Sequence, residues 1–303
     1  MEAMQQLAGV SRLWRDVILD TPSCWNSIRV AQDVKLAHLW IQLKRSCQAL
    51  LHVSIRYWWS NDATRRRQFE AQLKLIAPTT CRWKTLSAGE NAVWFTRAIN
   101  RFLHSDFLSL TKGHIDTDAT SDLIAILTRT PILEDLSVKG PVAFTIPRLK
   151  LQVLRLQHKT LPTPVSSDTM TSLTLIGGAK HWELERDSIH FPLLETLSLE
   201  ITHPAKFMAA IVAPKLRYFE YSTARCDDFD QSNLVVFSDL RGKFTQVCQV
   251  QLQPDTYANE PVGATRLCCD FLVCTMPLLI GRTIWDFLKH PFLHLITRWS
   301  HLL

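Results

Sequence analysis

The sequence predicts an α/β fold built from short parallel strands that repeat along the chain, and three observations carry that prediction. Four stretches share a proline or polar start followed by L-x-x-L-x-L: PILEDLSV (Leu133, Leu136, Val138), LQVLRL (Leu151, Leu154, Leu156), MTSLTL (Met170, Leu173, Leu175) and PLLETLSL (Leu194, Leu197, Leu199). A fifth stretch, PKLRYFEY, puts Phe219 and Tyr221 at the same positions. Weaker copies extend the series on both sides: CRWKTLSA with Trp83, Leu86 and Ala88, DFLSL with Leu108 and Leu110, and VCQVQL with Val247, Val250 and Leu252.

The third observation is spacing. Taking the middle positions as Leu86, Leu108, Leu136, Leu154, Leu173, Leu197, Phe219 and Val250, successive copies lie 18 to 31 residues apart, close to the ~20–29 of leucine-rich repeats. Strand side chains alternate, so the leucines of each copy point into a shared core and the residues between them point outward. One copy cannot bury its own leucine row, so neighbours must stack. The expected architecture is a leucine-rich-repeat solenoid over residues 79–253, a curved parallel sheet backed by helices and loops. No Asn follows the leucine rows, so the repeats are degenerate.

Upstream of the repeats, Leu7, Val10, Trp14 and Val17 are spaced three, four and three apart and share one helical face. Thr21 and Pro22 then open a short helix, from which Trp25 and Ile28 fold back to form a small core with Val10, Trp14 and Val17. Residues 1–32 are thus expected to be helical. Residues 33–78 read as linker helices and a first strand. Val34, Ala37, Trp40, Ile41 and Leu43 are helical in spacing; Leu51, Val53 and Ile55 alternate with His52, Ser54 and Arg56 as in a strand; Phe69, Leu73 and Ile76 form a further helix closed by Pro78. Arg65, Arg66 and Arg67 at its start read as a solvated face. A helix is expected after Asp118, closed by Pro131, and residues 254–303 read as a C-terminal cap or a poorly packed tail.

Composition narrows the function. With 47% apolar and 20% charged residues in 303, the chain has the balance of a folded globular protein. The nine glycines make no G-x-G-x-x-G or G-x-x-x-x-G-K-[ST] loop, which removes the common nucleotide sites. A net charge of +6 is scattered, so nucleic acid is not an expected partner. The apolar run from Phe271 to Gly281 is broken by Pro277 and is far shorter than the ~20 residues of a membrane span.

Eight cysteines follow a start without an apolar signal core, which reads as an intracellular, thiol-reduced chain. The Cys268-Cys269-x4-Cys274 cluster lacks a histidine at zinc spacing, so no metal is expected. Asp116 and Asp118 read as helix-cap residues, the acidic stretch of Cys226, Asp227, Asp228 and Asp230 as a solvated loop, and His181, His190 and His203 lie without a nucleophile at a recognisable spacing. No H-E-x-x-H or G-x-S-x-G occurs. No catalytic residue and no cofactor is expected, and the chain is read as not an enzyme.

The segment VSRLWRDVILDTPSCWNSIRV, residues 10–30, resembles the second half of an F-box as found in fungal F-box-like proteins with leucine-rich repeats. The matching residues are Val10, Arg12, Trp14, Arg15, Asp16 and Val17, then Thr21, Pro22, Trp25, Ser27 and Ile28. LWIQLKRS and LIAPTTCRWKTL extend the likeness more weakly. The resemblance implies a substrate-recognition subunit of a cullin-RING (SCF-type) ubiquitin ligase in the cytoplasm or nucleus. Val10, Leu13, Trp14, Val17, Pro22 and Trp25 would then meet the adaptor subunit. The repeat domain would hold a target protein of unknown identity on its concave face, through the outward residues Asp135, Ser137, Arg155, Gln157, Thr174, Thr196, Ser198, Glu200, Tyr218 and Glu220. Only MEAMQQ stands where the family has an L-P-x-E-I-L helix, so the F-box reads as truncated and its adaptor contact as weakened. The competing expectation is a protein-interaction scaffold with a remnant F-box and no ligase link.

Overall fold

The computed structural model describes residues 9–56, 63–89, 102, 105–116, 129–140, 150–202, 204–222, 243, 244, 246, 247 and 249–253. The fold is α/β, its main strands all parallel, and the chain divides into two compact units, residues 1–144 with 148–150, and residues 145–147 with 151–303.

The first unit opens with helix α1 (Arg12–Asp20), whose start is capped by Ser11, its hydroxyl accepting from the Trp14 N–H at 3.2 Å. A single turn of 3-10 helix (Pro22–Trp25) leads into β1 (Ser27–Val30). Helix α2 (Leu36–Arg45), β2 (Leu51–Ile55), α3 (Ala63–Ile76), β3 (Trp83–Ala88), β4 (Lys112–Asp116) and β5 (Asp135–Lys139) follow. Strands β1 to β5 pair in chain order. Residues 27–30 are therefore a strand rather than the expected helix: Ile28 and Val30 alternate with Ser27 and Arg29, and alternate burial is what a one-faced strand requires. Together with β2 it joins the same sheet as β3, and helices α2 and α3 pack beside β1.

Helix α3 buries Phe69, Leu73 and Ile76, the three residues its spacing singled out. Beside them Gln72 is buried, its amide donating to the Ala31 and Val34 carbonyls at 3.2 and 2.6 Å and so tying the segment after β1 to the helix. Arg82 closes the end of α2, donating to the Ala49 carbonyl at 2.8 Å and to the Ser46 hydroxyl at 3.0 Å. A cation placed just beyond a helix C-terminus is favourable electrostatically as well as by hydrogen bonding. Trp83 is buried edge-on against Phe102 and Phe107, with ring centroids 5.1 and 5.6 Å away.

The second unit holds β6 (Val153–His158), β7 (Ser172–Gly177), β9 (Thr196–Ile201), β11 (Tyr218–Ser222) and β12 (Gln249–Gln253), paired in that order. A separate two-stranded parallel ladder joins β8 (Ile189–His190) to β10 (Ile211–Val212), and the short helix α4 (Pro204–Ala210) buries Phe207 and Met208. Trp182 packs against Phe207 with its ring tilted by 57° and donates its indole N–H to the Leu161 carbonyl at 3.1 Å, so its polar end is satisfied although the residue is buried.

The leucine rows fall in register. In the second unit Leu154, Leu173, Leu197, Phe219 and Val250 are successive partners across β6, β7, β9, β11 and β12. In the first unit Ile28, Val53, Leu86, Gly113 and Leu136 are successive partners from β1 to β5. The leading apolar residue of five copies, Leu133, Leu151, Met170, Leu194 and Leu216, is also buried. DFLSL is not a strand: Leu108 is an exposed turn residue, the strand lies at 112–116, and Gly113 takes the middle position expected of Leu108.

Backbone hydrogen bonding repeats along with the side chains. The N–H groups of Glu134 and Asp135 both donate to the Thr111 carbonyl, those of Thr171 and Ser172 to Gln152, those of Glu195 and Thr196 to Thr171, and those of Arg217 and Tyr218 to Glu195. Each of these strands is entered by the same two-donor step onto the segment preceding the strand before it. The helix expected after Asp118, Cys226 to Asp230, His203 and residues 254–303 lie outside the described residues.

Candidate interaction surfaces

Val10 and, on α1, Leu13, Trp14 and Val17 are exposed by 71, 73, 49 and 46%. On this helix Ile18 alone is buried. The expected small core of Val10, Trp14, Val17 and Trp25 does not form, because α1 meets the rest of the unit through Ile18, one turn beyond Trp14, and leaves Val10, Trp14 and Val17 uncovered. Pro22 is exposed, and Trp25 is half-buried with its indole N–H donating to the Ile18 carbonyl at 2.7 Å and the Arg45 guanidinium 4.7 Å over its ring. The six residues thus lie in one short stretch, with Trp25 fixed and the apolar side of α1 open. Leu36, Trp40 and Ile41 of α2 are exposed as well, although the sequence counted Trp40 and Ile41 with the covered face. Leu39 and Gln42 are covered instead.

The expected partner-facing residues of the second unit lie between the buried ones, in rows set by the register. Arg155, Thr174, Ser198 and Glu220 are successive partners, as are Thr196 and Tyr218, while Glu200 pairs with Ile176 and Gln157 with the same Ile176. Ser198 donates its hydroxyl to Glu220 at 2.9 Å. Burial, and then the neighbouring Glu220 carboxylate, push the Tyr218 phenol above its ordinary value, so it stays a neutral donor at physiological pH. Asp135 and Ser137 belong to β5 of the first unit, where Asp135 faces Lys112 at 3.7 Å and Ser137 is the register partner of His114.

The sequence reading missed a cleft of about 650 Å³ in the first unit, lined among others by Arg29, Asp33, Ser54, Arg56, Ser87 and His114. It lies at the carboxyl ends of β1 to β4. Arg29, Ser54, Ser87 and His114 are register partners on successive strands, so they form a row across it. Arg29 forms an ion pair with Asp33, and Lys139 with Asp116 at 3.1 Å. The Arg29 hydrogen bond holds the Asp33 carboxyl below its ordinary range, with the charges of Arg29 and Arg56 adding to the effect. Arg56 is exposed, and its backbone N–H donates to the Val30 carbonyl at 2.9 Å, which fixes its base on the rim. The alternation that sets Ser54 and Arg56 opposite Val53 and Ile55 was visible in the sequence; the strands beside them were not.

Among the described residues no group of three or more His, Cys, Asp or Glu is placed to hold a metal ion, and no helix is long and apolar enough to cross a membrane. Cys24, Cys47 and Cys81 are free thiols. No family model matches the sequence, and no curated protein matches it.

Proposed function

We propose that this chain is a non-enzymatic protein-binding subunit of a cullin-RING ubiquitin ligase, acting in the cytoplasm or nucleus. In this reading its parallel strands are degenerate leucine-rich repeats of a solenoid. The apolar side of α1, with Leu13, Trp14 and Val17, and Val10 just before it, docks on the ligase adaptor, and the outward strand residues hold the protein to be modified. The observation that carries the reading is the exposure of these four apolar residues within one stretch of eight, three of them on α1. Covering them in a partner removes apolar surface from water at roughly 25 cal/mol per Å², and a tryptophan at the centre of such a patch is a common anchor. Tethering a target beside a ubiquitin-loaded enzyme raises its effective concentration without any chemistry in this chain.

A pull-down of the recombinant adaptor by the full chain tests it. Capture by the wild type and its loss in Trp14→Ala, with unchanged circular dichroism, is the expected outcome. Capture of other proteins without the adaptor would instead favour a protein-interaction scaffold with no ligase link.

A further inference from the structure

We propose that the cleft at the carboxyl ends of β1–β4 binds a short acidic peptide segment laid across the strands, with one of its carboxylates held by Arg56. The inference does not depend on α1 docking an adaptor, since it uses none of the residues of that surface.

Shape comes first. The row Arg29, Ser54, Ser87 and His114 crosses four adjacent strands. With ~4.8 Å between neighbouring strands the row is roughly 14 Å long, the reach of about four extended residues at ~3.3 Å each. A single ion would leave most of a 650 Å³ cleft unfilled. Parallel sheets commonly receive ligands outside the carboxyl ends of their strands.

Charge decides the class of ligand. Two of the cations near the cleft are already matched, Arg29 by Asp33 and Lys139 by Asp116. Arg56 has no ion pair among the described residues, and its planar guanidinium can hold a carboxylate through two parallel N–H donors. The hydroxyls of Ser54 and Ser87 and the ring of His114 have no hydrogen-bond partner among the described residues, so they are available to the amides and carbonyls of an extended chain. Asp33 and Asp116 line the same cleft. They would repel a nucleic-acid backbone, which carries a charge at every step, but tolerate a peptide whose charges are fewer and can be placed over Arg56.

Fluorescence anisotropy of a labelled acetyl-Glu-Gly-Glu-Gly amide, whose charges are spaced rather than continuous, titrated at low salt with the full chain, tests the proposal. Arg56→Ala is expected to weaken binding about tenfold, the worth of one charge-assisted contact. Arg56→Lys, which keeps the charge and loses the fork, should fall between, and Lys159→Ala, which removes an exposed cation of the second unit, should bind like the wild type. Circular dichroism checks folding, and Ser87→Trp, an exposed position on the row, provides a second variant that should block binding. No binding by the wild type, equal binding by Arg56→Ala and the wild type, or equal binding of the peptide's glutamine counterpart would each overturn the proposal. So would displacement by equimolar inorganic phosphate, which would mark an ion site, or tighter Arg56-dependent binding of an oligothymidylate.

Discussion

In α1 the apolar residues Leu13, Trp14 and Val17 lie open to solvent, whereas in β9 Leu197 and Leu199 are fully covered, although each segment spaces its apolar residues at the period of its own secondary structure. Periodicity states which residues share a face. Whether that face is covered depends on what lies beside it, and β9 has β7 and β11 paired to either side while α1 rests on the unit through Ile18. An apolar stripe on a short helix and a leucine row in a strand are therefore different kinds of evidence. The first is surface available to a partner, and the second is the protein's own core.

The largest expected effect tests the covered side of this contrast. Leu154→Ala and Leu197→Ala should each destabilise the fold by ~2–5 kcal/mol in a denaturant titration, because each empties a packed position between neighbours that can collapse only partly. Near-wild-type stability in both would mean that the leucine rows are not the core.

Gly177→Ala sharpens the picture at the end of β7. Gly177 has φ +136°, and a Cβ there would sit 1.5 Å from the His158 carbonyl oxygen of the paired strand. Neither the angle nor the contact can be relieved by turning a side chain, so a loss of roughly 1–3 kcal/mol is expected, read as a lower midpoint at unchanged slope. An unaltered midpoint would show that β6 and β7 do not approach this closely.

The smallest effects belong to the open residues. Leu13→Ala, and Thr196→Ala next to the buried Leu197, should each change stability by less than ~1 kcal/mol. A loss at Leu13 equal to that at Leu197 would mean that the side of α1 left open here is covered in the folded chain.

The sequence made the strand array of the second unit legible down to register, because Leu154, Leu173 and Leu197 recur with so little variation that spacing alone aligned them. The outward residues Arg155, Thr174, Ser198 and Glu220 followed from alternation. In the first unit β1 and β2 went unrecognised as members of the same sheet. Their middle residues are Ile28 and Val53, β-branched substitutes that do not match a leucine motif, and β1 lies within a segment whose helical pattern drew attention to Trp14 and Trp25. The cleft was illegible for the same reason, since its row of Arg29, Ser54, Ser87 and His114 exists only once β1 to β4 are placed side by side. Helix α2 was misread on another ground. Gln42 is buried and Trp40 exposed, an inversion that hydropathy cannot anticipate.

Gly113 sits where every neighbouring copy has a large apolar residue, yet a Cβ added there would already lie 3.2 Å from Leu136 Cδ1 and 3.9 Å from Leu133 Cδ1. The space left by the glycine is occupied from the following strand, so positions 113 and 136 share a single volume. Enlarging one calls for trimming the other, and the pair behaves as one locus: a substitution that is harmful alone becomes tolerable when its counterpart shrinks. The interior of β4 is in this sense encoded 23 residues downstream of the glycine that needs it.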